Sequence, residues 1–157
     1  MTIDLEPNVR KRSVSTLPAL ATCLALMASF PAAAEIGQIK ISKGVVSVER
    51  NGQTLVGVIG MRLESADTIK TGTDGAVGIT MRDNSLLSAG PNSILSLERF
   101  DFDATTSQGR FDAQLQRGTL AVVSGRIAKQ SPEAMTVRTP SAQLGVRGTD
   151  FVVSAGE

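Results

Sequence analysis

The sequence predicts an all-β domain, a single antiparallel β-sandwich or roll of about 10–12 short strands. Three observations carry this expectation. From residue 39 onward, apolar residues alternate with polar ones in short runs. Turn-forming pairs such as Asn51-Gly52 and Asp83-Asn84 punctuate the runs. No stretch after Phe30 sustains a helical period.

Residues 1–34 are set apart from that domain. Arg10, Lys11 and Arg12 form a basic cluster, an apolar stretch covers residues 17–30, and Pro31, Ala32, Ala33 and Ala34 supply a small-residue cleavage site. This order predicts a secretory signal peptide cut after Ala34. The apolar stretch is about 14 residues, short of the roughly 20 a membrane-spanning helix requires. The expected product is an exported domain over residues 35–157, periplasmic or secreted, with no membrane span after cleavage. An uncleaved anchor is the alternative. A lipidated Cys23 is disfavoured, because Thr22 replaces the usual small residue and the apolar stretch runs on past it.

In chain order, Val46 and Val48 alternate with Ser47 and Glu49, giving a strand with one apolar face. Asn51-Gly52 follows; both tolerate positive φ and predict a type I′ hairpin. Gly60, Leu63, Asp67, Ile69 and Thr71 mark the next strands. Asp74-Gly75 predicts a second tight turn before Val77, Ile79 and Met81. Asp83-Asn84 ends that strand, and Gly90-Pro91-Asn92 marks a bend before Leu95 and Leu97. Phe111, Ala113 and Leu115 alternate with Asp112, Gln114 and Gln116. Gly118, Leu120, Val122 and Gly125 faintly echo the Gly60 segment, so a solenoid-like stack is the alternative to a plain roll. Residues 128–134 have room for one turn of helix, but Pro132 inside them predicts a loop. Val137-Arg138, Leu144 to Val146 and Phe151 to Val153 close the chain as short strands around Thr139-Pro140 and Arg147-Gly148-Thr149.

The residue inventory excludes several chemistries. With no histidine and a single cysteine inside the expected signal peptide, Ser-His or Cys-His catalysis and ordinary zinc sites are not expected. Lys and Arg number 16 against 15 Asp and Glu, and no basic run stands out, so no nucleic-acid partner is expected. Asp101, Asp103 and Asp112 are the densest acidic group, but no loop of calcium-ligand spacing surrounds them. The reading is a non-enzymatic protein with no catalytic residue, metal or cofactor. Phe100, Phe102, Phe111 and Phe151 are expected in the core, with Phe100 and Phe102 near enough to a turn to be exposed.

The ordered set of motifs resembles the FecR-domain family, the periplasmic domain of ferric-citrate-type regulators. Gly44 to Val48; Gly60, Leu63, Asp67, Ile69 and Thr71; Asp83, Ser85, Leu86 and Pro91-Asn92-Ser93; Gly118-Thr119-Leu120; and Thr139-Pro140, Ala142, Val146, Arg147, Gly148, Thr149 and Phe151 carry the resemblance. It implies a protein-interaction or sensory module linked to envelope signalling, with an envelope protein as partner. The alternative is a structural envelope or cell-wall-associated scaffold. Regulators of this kind combine a cytoplasmic anti-sigma segment, a membrane span and a periplasmic sensor. Little sequence precedes the apolar stretch or follows Val153, so a stand-alone exported member is expected.

Six motif residues are singled out: Asp67, Thr139, Pro140, Arg147, Gly148 and Thr149. Pro140 fixes its own φ and holds Thr139 extended, which suits a strand edge or bend. Gly148 allows a bulge before Phe151. The planar fork of Arg147 suits loop carbonyls or a carboxylate such as Asp67. Whether these residues staple the fold or face a partner is open from the sequence. An exposed edge over residues 139–149 is the expected binding element.

Overall fold

The structure is a computed structural model and describes residues 34–146 and 150–156. Its strands are β1 Glu35–Lys43, β2 Val46–Arg50, β3 Gln53–Val56, β4 Arg62–Glu64, β5 Thr68–Thr71 and β6 Ala76–Met81, followed by β7 Leu86–Ala89, β8 Ile94–Phe102, β9 Gly109–Val123, β10 Met135–Arg138, β11 Gln143–Gly145 and β12 Asp150–Ala155. They form one curled 12-stranded sheet, a half-barrel of the expected all-β class. The alternating runs bury one face as read from the sequence. Val46 and Val48, Val77, Ile79 and Met81, Leu95 and Leu97, and Phe111, Ala113 and Leu115 all lie in the core.

The sheet runs β3-β2-β5-β8-β9-β7-β6-β1-β4, with β10 and β12 also attached to β9. Spatial neighbours such as β2 and β5 or β5 and β8 are not consecutive in sequence, so the sheet is not a stack of like rungs. β9, at 15 residues, organises it. Through Arg117 it pairs with β8, and over Phe111 to Gln114 with β10. From Gly118 onward it pairs with β12, and from Leu120 with β7. The phase of burial changes at the same place. The buried apolar residues are the odd-numbered Phe111, Ala113 and Leu115, and beyond them the even-numbered Leu120 and Val122. A change of phase by one residue swaps the faces of a strand. Gly118 sits at this change with φ +92°.

The β9–β10 pair is parallel, the exception to the expected antiparallel pattern. A parallel pair requires a crossover connection. Residues 124–134 supply it and contain helix α1, Arg126–Gln130, and a 3-10 turn, Pro132–Ala134. This corrects the loop expected over residues 128–134. Pro132 occupies the start of the 3-10 turn, where its missing N–H costs no bond. A five-residue helix is too short to show a period, and tertiary contacts hold it. Ile127 and Ala128 are buried, and the Arg126 N–H donates to the Asp83 carbonyl at 2.8 Å.

Asn51 (φ 50°) and Gly52 (φ 77°) form the predicted two-residue hairpin between β2 and β3. Asp74-Gly75 behaves differently. The Gly75 N–H closes a turn on the Gly72 carbonyl at 3.0 Å, and the flanking β5 and β6 pair with other strands rather than with each other. Gly75 is needed for space, since a Cβ there would lie 2.4 Å from the Val45 carbonyl oxygen.

Candidate functional site

The motif residues gather into hydrogen-bonded knots that tie the strands together. In the first, Asp67 has no solvent exposure. Its carboxylate accepts from Arg50 Nε at 2.8 Å, Arg50 Nη2 at 2.7 Å and the Glu64 N–H at 2.8 Å. Arg50 Nη1 also bridges to Glu64 at 2.6 Å, and Nη2 donates to the Arg62 carbonyl at 2.9 Å. β2, β4 and the start of β5 are thereby locked together. The hydrogen bond to Asp67, with the charges of Asp67 and Glu64, raises the Arg50 pKa above its ordinary value against a smaller opposing effect of burial. Arg50 therefore stays cationic throughout the working range. Sequence reasoning missed Arg50: its pairing with Asp67 spans a hairpin and a loop, and no local spacing announces it. Arg147, the sequence-proposed partner of Asp67, lies with Gly148 and Thr149 outside the described residues.

The second knot joins three turns. Thr71 Oγ1 donates to the Gly90 carbonyl at 2.7 Å and accepts from the Ser93 N–H at 2.8 Å. Ser93 Oγ donates to the Thr119 carbonyl at 3.2 Å and accepts from the Thr119 N–H at 3.1 Å. In the third knot, buried Asp83 accepts from the Ser85 N–H at 2.9 Å and Ser85 Oγ at 2.8 Å. Ser85 Oγ in turn accepts the Gly125 N–H at 2.9 Å. Ser85→Ala leaves the Gly125 N–H without its acceptor and Asp83 Oδ2 with the longer bond from the Ile127 N–H at 3.4 Å. It is expected to cost about 1–3 kcal/mol in a urea denaturation series.

Thr139 and Pro140 form the turn between β10 and β11. The Thr139 N–H donates to the Ala142 carbonyl at 2.8 Å, and Thr139 Oγ1 accepts the Ala142 N–H at 3.0 Å. This is the bend that Pro140 predicts. Pro140, Ser141 and all of β11 are exposed, and among the described residues β11 pairs only with β10. Leu144 thus sits on an open strand edge at 36% exposure.

The acidic group does not converge. Asp101 pairs with Arg99 at 2.6 Å and Asp112 with Arg110 at 2.8 Å, and Asp112 raises the Arg110 pKa through a hydrogen bond and its charge. Asp103 lies beyond the end of β8 and accepts the Thr105 N–H at 2.8 Å. Among the described residues no cluster of three metal-ligating side chains occurs. The bonds from the Thr105 and Thr106 backbones hold the Asp103 carboxyl below the ordinary aspartate value. A lowered folded-state pKa stabilises this turn above the unfolded pKa, and the contribution is lost as pH falls through the lowered value. An NMR titration should show the Thr105 and Thr106 amides shifting only below the ordinary aspartate range.

Phe100 and Phe111 are buried with their rings edge to face at 5.6 Å. Phe102 is partly buried, and the Arg126 guanidinium lies 4.9 Å from its ring centre. Among the described residues no helix is long and apolar enough to cross a membrane.

Comparison with known families returns one description, FecR protein, matching residues 67–157, more than half of the chain. The match begins at Asp67 rather than at Gly44, where the resemblance read from the sequence begins. The strands before it are nevertheless built into the same sheet, β1 against β6 and β2 against β5. No curated protein and no solved structure matches the chain.

Proposed function

The chain belongs to the FecR protein family, and we propose that it is an exported, non-enzymatic interaction or sensory module of the cell envelope. That family is a regulatory and signalling one. The observation that carries the reading is the division of labour among the motif residues. The polar side chains of Asp67, Asp83, Ser85, Thr71 and Ser93 are consumed in internal bonds. Strand edges and exposed apolar side chains are left to meet a partner. Edges recognise partners by accepting an added strand, with backbone bonds giving affinity and side-chain pockets giving selectivity. The β11 edge carrying Leu144, beside the Thr139-Pro140 turn, is the surface assigned to an envelope protein. The basic cluster and apolar stretch before residue 35 support export and cleavage after Ala34, and hence a periplasmic or secreted location.

Fractionation of cells making the full chain, with N-terminal sequencing of the product, tests export. The expected product starts at Glu35 and is recovered in the periplasmic or secreted fraction. A product retained in the cytosol with its first 34 residues would refute the export reading. Quantitative sedimentation with isolated cell walls would favour the scaffold alternative instead.

A further inference from the structure

Four strands end the two halves of the sheet: β3 and β11 on one, β4 and β12 on the other. β3 has four residues and β4 three, while β11 is the edge already assigned to an envelope protein. Short edges and charged edges resist pairing with other chains. β4 carries Arg62 and Glu64, both engaged in ion pairs. β12 has neither protection. It runs six residues, and among the described residues it is paired only with β9. Its one charge is Asp150 at its start, and it contains no lysine or proline.

The face beside this edge is also unprotected. Ladder registers align Leu86 with Val123 and Asp150, and Ser88 with Ala121 and Val152. Val152 is 68% exposed, Leu86 45% and Val123 42%. With Ala121 between them they line a shallow apolar depression of about 410 Å³.

We propose that β12 pairs antiparallel with β12 of a second copy of this chain, about a two-fold axis normal to the sheet. Such an axis keeps outer face with outer face, so residues of the same parity must oppose one another. Centred on Val152, it sets Val152 against Val152 of the second copy, Phe151 against Val153, and Asp150 against Ser154. No like charges meet, and a carboxylate faces a hydroxyl that can donate to it. The strand's own sequence therefore satisfies every pair, so a second copy needs no other partner to fill the edge. The axis also brings the two Val152–Val123–Leu86 patches side by side, covering apolar surface that each copy alone leaves in water. One strand pair per dimer falls below the ~1,200 Å² of a standard interface, so the association is weak and concentration-dependent. It does not rest on the signalling reading and does not use the β11 edge.

The test uses the full chain in cells, with Cys23→Ser to remove the native thiol. Val152→Cys should give a dimer with a short thiol-to-thiol cross-linker, and Ile59→Cys, equally exposed but on the loop before β4, should not. Ser154→Cys should cross-link to a co-expressed Asp150→Cys chain in preference to itself, which fixes the register. Val152→Lys should abolish self-association in sedimentation while leaving the thermal transition unchanged. A Val152→Cys chain that cross-links no better than Ile59→Cys, or that is captured only by a different protein, overturns the proposal. A wild-type chain that sediments as a monomer at every concentration does so as well.

Discussion

Gly118→Val is expected to cost about 2–6 kcal/mol, a large fraction of the stability of a domain this size. The glycine lies at φ +92°, a conformation in which a β-branched residue is a strong outlier. Strain of that kind costs about 1–3 kcal/mol. A Cβ at this position would also lie 2.2 Å from Ser93 Oγ and 2.5 Å from Ser93 Cα. Overpacking against backbone adds about 1–3 kcal/mol. The damage falls on the step where β9 leaves β8 and takes up β12, so both halves of the sheet lose their shared strand. Gly118→Ala should cost less than Gly118→Val, because it lacks the branched carbons, but it keeps the strained φ and the 2.5 Å approach to Ser93 Cα. A Gly118→Ala variant as stable as the wild type would mean that neither the dihedral angle nor the close approach is important.

Asp67→Ala is the second large effect, about 3 kcal/mol, the low end for removing one partner of a buried ion pair. It strips Arg50 of two hydrogen bonds and leaves the Glu64 N–H without its acceptor. The low end applies because Arg50 keeps Glu64 and is itself 22% exposed. Denaturant unfolding of Asp67→Ala and Arg50→Met/Asp67→Leu distinguishes pairing from mere residue loss. Removing both charges together should be milder than removing Asp67 alone. A double variant as damaged as Asp67→Ala would show that the cost does not come from a stranded guanidinium.

The strands were legible wherever alternation was regular. Val77-Ile79-Met81 and Leu95-Leu97 needed no more than period two, and Asn51-Gly52 named its own turn. β9 was harder, because its alternation changes phase between Leu115 and Leu120 and reads as two strands. The glycine at the change was the available signal: a one-residue slip with Gly118 on it marks a strand that bends from one half to the other. Helix α1 left no period in five residues, and the parallel β9–β10 pair depends on that crossover. At the candidate site, Asp67 and the Thr139-Pro140 turn were recognisable as motif positions. Their roles were not, since the Arg50 fork, the buried Asp83–Ser85 knot and the open β11 edge arise from contacts between distant segments.

Site-specific photo-cross-linking in living cells tests the central claim most directly. A photoreactive residue at Leu144 of the full chain samples the β11 edge, and one at Ile59 samples a more exposed loop away from it. The account predicts an adduct with an envelope protein from Leu144 alone, kept in the Val152→Lys background and lost when Gln143 and Gly145 are both replaced by proline in a protein that still unfolds cooperatively. An exported, folded chain that gives no adduct at Leu144, or the same adducts from both positions, would contradict it.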